Sequence, residues 1–279
     1  MAFVTSDGVR LYVEETGAGD PIIFAHELHS DYRGWEAQVR WFSRLYRCVT
    51  FNARGYPPSD VPGDASLYGY PFVAHDIAAI VRTLDLGRAH VVGSSMGAYA
   101  ALHFALMYPR MAASLVVAGV GSGSPPADRA AFVADAEATA RAYLDEGSAR
   151  VAEVVGQKPT RTQLLRKDPH GFAEFLSHLG EHSPEGKAHT LLGYQARRPS
   201  LADFAQEFSL LRTPVLLIAG DEDEPCLETT LWLKKTLPNA GLWICPNSGH
   251  AVNLEEPAAF NRTVHHFLGA VEHKSFSRR

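Results

Sequence analysis

The chain has 279 residues, of which 46% are hydrophobic and 20% are charged. This length and composition exclude a small stapled module and a largely disordered chain, and they predict one large domain with room for an insertion. The 26 basic and 31 acidic residues give a formal net charge of −5, which argues against nucleic acid or an anionic membrane as the partner.

The first part of the chain alternates predicted strands and helices. Residues 2–6 and 10–16 alternate apolar and polar side chains around an Asp-Gly pair, which is typical of a β-hairpin. Residues 21–25 form a continuous apolar run, as expected of a strand buried on both faces of a parallel sheet. Further strands are predicted at 46–52, 89–94 and 113–119, and helices at 34–45, 70–86 and 96–108. This alternation predicts an α/β fold with a mostly parallel sheet.

The strand pattern stops after residue 120 and resumes after residue 212. Helices are predicted between these points at 127–146, 160–167, 170–182, 185–196 and 200–211. Strands at 214–219 and 241–245 and helices at 226–237 and 254–272 then complete the pattern. We therefore predict a discontinuous core of residues 1–120 and 213–272, an all-helical insertion at 121–212, and a solvated C-terminal tail at 273–279.

The clearest motif is the segment 93–97, with the sequence GSSMG, which follows a predicted buried strand and opens a predicted helix. It matches Gly-x-Ser-x-Gly, a pattern typical of a serine held on a strained strand-to-helix turn. Glycines flank the serine because a larger side chain would collide with neighbouring backbone. We therefore predict Ser95 as the nucleophile, and we interpret Ser94, one residue out of register, as a packing residue.

A serine hydroxyl is a weak nucleophile and needs a neighbouring base. In proteins with this motif the chain order is Ser, then Asp or Glu, then His, so the base is expected to be a histidine late in the chain. His250 lies between the last predicted strand and the last predicted helix, whereas His265 and His266 lie within that helix. A carboxylate is expected after the preceding strand, where the chain reads GDEDE. Asp223 best fits a Gly-x-x-Asp placement, and Asp221 is the alternative.

Taken together, the motifs resemble those of the capped α/β-hydrolase superfamily. The motifs that carry this resemblance are Phe24-Ala25-His26, Arg54-Gly55, Gly93-Ser94-Ser95-Met96-Gly97, Gly220-Asp221-Glu222-Asp223 and Ser248-Gly249-His250. They cover nearly the whole chain, from about residue 3 to residue 270.

The resemblance implies the α/β-hydrolase fold, with a mostly parallel eight-stranded sheet flanked by helices and the helical insertion as a lid over the active site. It implies Ser95 as the nucleophile, Asp223 as the acid and His250 as the base. It also implies an oxyanion hole made by the backbone N–H groups of Leu28 and Met96, and no cofactor or metal.

The chain departs from the family pattern at Glu27. The family usually has His-Gly where this chain has His26-Glu27. A carboxylate there would oppose the negative charge that an oxyanion hole must stabilise. We therefore predict that Glu27 turns aside and pairs with a cation, for which Arg54 is the nearest candidate.

Two further features of the insertion bear on its function. The segment 178–182, HLGEH, matches the H-x-x-E-H zinc pattern, but it lies at a predicted helix end with no third ligand evident. We interpret it as a polar helix terminus. Most apolar residues of the insertion are expected to pack it onto the core, and Tyr194 is the one that we predict to contact substrate.

The predicted function is therefore that of a serine hydrolase acting on a carboxylic ester, lactone or thioester of a small, largely apolar substrate. The alternatives are a C–C bond hydrolase of a vinylogous diketone with the same triad, a ligand receptor on a hydrolase fold, and a cofactor-free perhydrolase or oxygenase. The predicted partner is a small molecule, with no nucleic acid or membrane, and the protein is expected to be a monomer or homodimer.

The expected location is the cytoplasm. Cys48, Cys226 and Cys245 form no CxxC pair, which suits a reducing compartment. The N-terminal segment lacks the basic and apolar regions of a secretory signal.

Overall fold

The computed structural model describes residues 2–276 and contains one eight-stranded sheet. The strands are β1 (Ala2–Ser6), β2 (Val9–Thr16), β3 (Pro21–Ala25), β4 (Arg47–Phe51), β5 (Ala89–Ser94), β6 (Ala112–Ala118), β7 (Val215–Gly220) and β8 (Ala240–Cys245). Their order across the sheet is β1-β2-β4-β3-β5-β6-β7-β8. The pairs β1-β2 and β2-β4 are antiparallel, and all other neighbours are parallel. The predicted mostly parallel, eight-stranded sheet is confirmed.

Helices cover both faces of this sheet. The core helices are α1 (Glu36–Phe42), α2 (Tyr70–Thr83), α3 (Met96–Met107), α10 (Glu224–Thr236), α11 (Val252–Glu255) and α12 (Pro257–Glu272), and helices α4–α9 lie between β6 and β7. Successive strand residues point to opposite faces, so Ile23 and Val91 join the apolar cluster beneath α2 and α3. Phe24 and Val92 join the cluster beneath α1 and α12. The central strands are therefore buried on both sides, which explains their continuous apolar sequences.

The segment between β6 and β7 is entirely helical. It contains α4 (Arg129–Glu146), α5 (Ser148–Gly156), α6 (Thr162–Lys167), α7 (Pro169–Gly180), α8 (Pro184–His189) and α9 (Ala205–Leu210), with 3₁₀ turns at Pro159–Arg161 and Leu201–Phe204 and a π-helix at Thr190–Gln195. Tyr143, Val155, Leu179 and Leu191 share an apolar cluster that belongs mainly to this segment. We call the segment 121–212 the helical insertion.

Two local predictions need correction. Helix α5 was not predicted, because its valines have weak intrinsic helix propensity and its helicity depends on packing of Val151, Ala152 and Val155 in the insertion's core. The tail is not wholly solvated, since the Phe276 ring lies 4.8 Å from that of Phe267. Residues 277–279 lie outside the described residues.

Candidate active site

Ser95 occupies the turn between β5 and α3. Its backbone φ of 50° is in the left-handed region, which is strained for a side chain other than glycine. A Cβ on Gly97 would collide with the carbonyl group of Ala25 on β3, and a Cβ on Gly93 would collide with the backbone of Gly97. Gly93 is therefore required for β5 and α3 to approach so closely, and Gly97 for α3 to approach β3. This turn presents Ser95 at the carboxyl edge of the sheet.

His250 and Asp223 are joined by a hydrogen bond of 2.9 Å between Nδ1 and Oδ2. Asp223 follows β7 and is completely buried, while the His250 side chain is 12% exposed. Asp221, the alternative acid, instead accepts the backbone N–H of Ser248 at 3.1 Å. A Cβ on Gly220 would collide with the Ser248 carbonyl, so the loops after β7 and β8 are in direct contact.

The backbone around His250 is held from two sides. The Glu255 carboxylate accepts the N–H groups of Gly249 at 2.6 Å and Ala251 at 3.1 Å. The carbonyl of Thr160, from the helical insertion, accepts the His250 N–H at 3.1 Å. The imidazole therefore stands on a loop whose geometry depends on both the core and the insertion.

The end of β6 brings Ser95 and His250 together. The Ser95 N–H donates to the Ala118 carbonyl at 2.8 Å, and the next residue, Gly119, lies against the His250 ring. A Cβ on Gly119 would be 3.4 Å from His250 Nδ1. Within residues 2–276 no hydrogen bond joins Ser95 Oγ to the imidazole. Catalytic hydrogen bonds often tighten only when substrate is bound.

Contact between His250 and Asp223 controls their protonation. Burial alone would lower the pKa of His250 and raise that of Asp223. The charge and hydrogen bond of Asp223 outweigh burial and raise the pKa of His250 well above its ordinary value. The imidazole in turn lowers the pKa of Asp223. The neutral, basic form of His250 is therefore reached only at a higher pH than for an ordinary histidine.

The loop after β3 carries the predicted oxyanion-hole residue Leu28. The Ala53 N–H donates to His26 Nε2 at 3.1 Å, so Nδ1 carries the proton and donates to the Glu27 carbonyl at 2.8 Å. Burial lowers the pKa of His26 to about 4, which keeps it neutral. Because the Glu27 carbonyl and the Leu28 N–H belong to one planar trans peptide, His26 fixes the direction of that N–H.

The second predicted donor is the backbone N–H of Met96. Met96 is the first residue of α3, and the first N–H groups of a helix have no intrahelical acceptor. The Met96 N–H thus lies beside the candidate nucleophile at the positive end of the helix dipole.

Glu27 pairs with a cation, but not with the predicted one, and it does not turn aside from the site, since its Oε2 lies 3.9 Å from His250 Nε2. Its carboxylate makes two hydrogen bonds with Arg161 of the insertion, at 2.8 and 2.6 Å. Arg54 is engaged elsewhere, in a buried pair with Asp76 at 2.6 Å. The prediction of Arg54 was wrong because the partner is 134 positions away in the sequence and is brought close only by the insertion.

Lys187 is a second residue that sequence reasoning missed. It lies on α8 with no exposed surface, and its Nζ donates to the carbonyl of Leu28. The same carbonyl accepts the hydroxyl of Tyr56 at 2.8 Å. Burial lowers the pKa of Lys187 to about 7. The sequence offered no signal for this role, because a lone lysine on a short helix normally faces solvent.

Among residues 2–276, Asp223, Cys226 and His250 form the one group whose donor atoms could surround a metal ion, lying within 4.8 Å of one another. A metal there would compete with the hydrogen bond between His250 and Asp223.

The H-x-x-E-H pattern does not converge on a common point. His182 Nε2 lies 3.2 Å from Asp31, and Glu181 pairs with Arg33 at 2.7 Å. Helix α7 ends at Gly180, just before these two residues.

Tyr194 lies next to the start of α3, beside Ser95. It is 1% exposed, belongs to the main core cluster, and its hydroxyl is 3.4 Å from the Met96 carbonyl. A cleft of about 630 Å³ lies elsewhere, between α6, α7 and the loop after β3, and Leu164, Phe175 and Tyr32 are among its lining residues. Tyr194 does not line it.

Comparison with known proteins agrees with this architecture. The model of the alpha/beta hydrolase fold family matches residues 20–257. The chain belongs to the alpha/beta hydrolase family. Its resemblance to that superfamily, predicted from the motifs, is confirmed. None of the helices between residues 2 and 276 is both long and apolar enough to cross a bilayer.

Proteins similar to this chain have names that indicate several activities. The chain is 27% identical to a 2-hydroxy-6-oxononadienedioate/2-hydroxy-6-oxononatrienedioate hydrolase of Burkholderia vietnamiensis, over 95% of this chain and 93% of the relative. It is similar in fold to a thermophilic esterase from Thermogutta terrifontis, with a TM-score of 0.86, 24% identity and coverage of 97% and 98%. It is also similar to the enol-lactonase of Burkholderia xenovorans, with a TM-score of 0.84, 21% identity and coverage of 96% and 100%.

Proposed function

We propose that the protein is a serine hydrolase that cleaves a carboxylic ester, lactone or thioester of a small, largely apolar substrate. The observation that carries the proposal is the combination of Ser95 on a strained turn with the hydrogen-bonded pair of His250 and Asp223 at the same sheet edge. Membership of the alpha/beta hydrolase family supports it.

In this mechanism His250 takes the proton of Ser95 as the serine oxygen attacks the substrate carbonyl carbon. Asp223 holds the imidazole in the required tautomer and stabilises its charged form. The oxyanion accepts hydrogen bonds from the N–H groups of Leu28 and Met96, each worth on the order of 3 kcal/mol in the transition state. The leaving group departs with the proton from His250, and water activated by His250 then releases the acyl group.

The helical insertion serves as the lid in this proposal. It contacts the site through Thr160 at the His250 loop, Arg161 at Glu27 and Lys187 at Leu28. Its apolar side chains would line the acyl-binding region when substrate is present.

A C–C bond hydrolase of a vinylogous diketone is the second candidate. It is favoured by the relative from Burkholderia vietnamiensis, whose named substrates are 2-hydroxy-6-oxo dienedioates and trienedioates. The same three catalytic residues would serve both reactions, so the choice depends on assays of both substrate classes.

The three cysteines are free and buried, which supports the predicted reducing, cytoplasmic location. A small-molecule substrate is the partner that the proposed site requires.

The test is Ser95→Ala, assayed with a series of p-nitrophenyl esters and with a ring-fission dienoate. We expect kcat to fall by about 10³-fold or more, because the covalent step is lost. Ser94→Ala is the matched control, since this neighbouring serine is buried outside the proposed chemistry, and it should retain most activity. A Ser95→Ala enzyme with substantial esterase and dienoate hydrolase activity would refute the assignment.

A further inference from the structure

Two carboxylates flank His250 at opposite edges of its ring. Asp223 Oδ2 is 2.9 Å from Nδ1, and Glu27 Oε2 is 3.9 Å from Nε2. Nε2 is the nitrogen that must receive the serine proton, because Nδ1 is already bonded to Asp223. Glu27 therefore lies at the reacting edge of the proposed base.

Arg161 keeps this second carboxylate charged and in place. Burial alone would favour the neutral acid, but the Arg161 guanidinium and its two hydrogen bonds hold the pKa of Glu27 below its ordinary value. The guanidinium also packs on the Phe175 ring, 4.9 Å from the ring centre. Glu27 and Arg161 are both almost completely buried, with side-chain exposures of 6% and 3%.

We propose that Glu27 is a second carboxylate partner of His250, which stabilises the imidazolium from the Nε2 edge, and that Arg161 is the residue that positions it. The inference rests on the proposed function. The proton moves from Ser95 Oγ to Nε2, the serine oxygen bonds to the carbonyl carbon, and the carbonyl electron pair becomes the oxyanion. The step creates one positive charge beside Glu27, while Arg161 limits the repulsion between Glu27 and the oxyanion.

The proposal has a consequence for pH dependence. A negative charge near Nε2 favours the protonated ring in the free enzyme as well. It therefore shifts the acidic limb of the pH–rate profile to higher pH. Other groups act on the same ring or on Glu27. Asp223 and Cys226 face Nδ1, Arg161 and Lys187 oppose the Glu27 charge from the insertion, and Glu255 lies behind the loop.

The experiment measures the rate at which a fluorophosphonate labels Ser95 as a function of pH, so that no substrate need be known. In Glu27→Gln the acid limb should move to lower pH by about one unit, and the plateau rate should fall roughly ten-fold. In Arg161→Gln the limb should also move to lower pH, because Glu27 loses the guanidinium that holds it charged beside Nε2. Asp31→Asn is the matched control, as this buried carboxylate of the same loop pairs with Arg33 and His182.

Shifts to lower pH in both variants, with an unmoved limb in Asp31→Asn, would support the proposal. An upward shift in Arg161→Gln would overturn it, because loss of a positive charge with no role for Glu27 predicts that direction. Rates that fall at all pH values with the limb unmoved in both variants would overturn it, because a purely structural role predicts that result. If Glu27→Gln does not fold, the direction of the shift in Arg161→Gln still decides the question. Failure of the proposed function is distinct, since the probe would then not label Ser95 in the wild-type enzyme.

Discussion

Lys187 carries its amino group into the interior, between the helical insertion and the sheet. Its Nζ lies over the ring of Tyr56, 4.8 Å from the centre, and over that of Tyr143 at 5.5 Å. These aromatic faces and the Leu28 carbonyl replace part of the lost hydration. The replacement is incomplete, which is why burial lowers the pKa of Lys187 to about 7.

This residue should make stability depend on pH. Between about pH 7 and its ordinary pKa of 10.5, the unfolded chain binds a proton that the folded protein has lost, so stability rises with pH. Relative to Lys187→Met, wild type should therefore gain roughly 3 kcal/mol between pH 7 and pH 9.5. Urea unfolding of both proteins at these two pH values measures the difference.

Lys158→Met provides the control for this measurement. Lys158 lies on the insertion with its side chain 42% exposed and pairs with Asp135 at 3.5 Å. Its substitution should change stability by the same small amount at both pH values. If the difference in stability between wild type and Lys187→Met were also the same at both pH values, the buried amino group would have an ordinary pKa.

The turn between β5 and α3 shows how one local structure positions the candidate nucleophile, Ser95. The positive φ of Ser95 lets the chain reverse from strand to helix within one residue. Gly97 lets α3 contact β3 at Ala25, and Gly93 lets the start of α3 pack against β5. The motif is thus a requirement of close backbone packing as much as of catalysis.

Replacement of Gly97 by alanine tests this view. The new Cβ would lie 2.5 Å from the Ala25 carbonyl carbon, so the backbone must shift, and we expect a loss of about 3 kcal/mol of stability. Gly269→Ala, in helix α12 with open space around the position, should instead stabilise by about 0.5–1 kcal/mol. Chemical denaturation of the two variants should give opposite signs, and two equal changes would contradict the packing argument.

At the scale of the whole molecule, the helical insertion is joined to the core around the proposed site. Arg161 binds Glu27, Lys187 binds Leu28 and Thr160 binds the His250 backbone. These contacts reach both the loop after β3 and the loop that carries His250. The active geometry is therefore expected to depend on the position of the insertion.

Hydrogen exchange can measure this coupling. In the double variant Arg161→Gln/Lys187→Met, amides of α4–α8 should exchange faster, by about ten-fold or more, while those of β5–β7 remain protected. Arg150→Gln removes only exposed ion pairs with Glu146 and Glu153 and should leave both regions unchanged. Equal acceleration in the insertion and the sheet would mean that the two parts open together.

Much of the fold was predictable from local patterns. The hairpin at Asp7-Gly8, the buried parallel strands and the turn at Ser95 each depend on residues adjacent in the chain. The pairing of Asp223 with His250 was also predictable, because their places after successive strands bring them to one sheet edge. The catalytic roles of these residues stay predictions until the variants are assayed.

The surroundings of the site were not predictable in this way. The partner of Glu27 proved to be Arg161 rather than Arg54, and Lys187 proved to be buried. Helix α5 likewise depends on partners elsewhere in the insertion. Strand periodicity and turn chemistry act between neighbours in the chain, whereas the partner of a buried charge depends on how distant segments pack. The motif therefore identified the candidate nucleophile, and the tertiary structure decided the charges around its base.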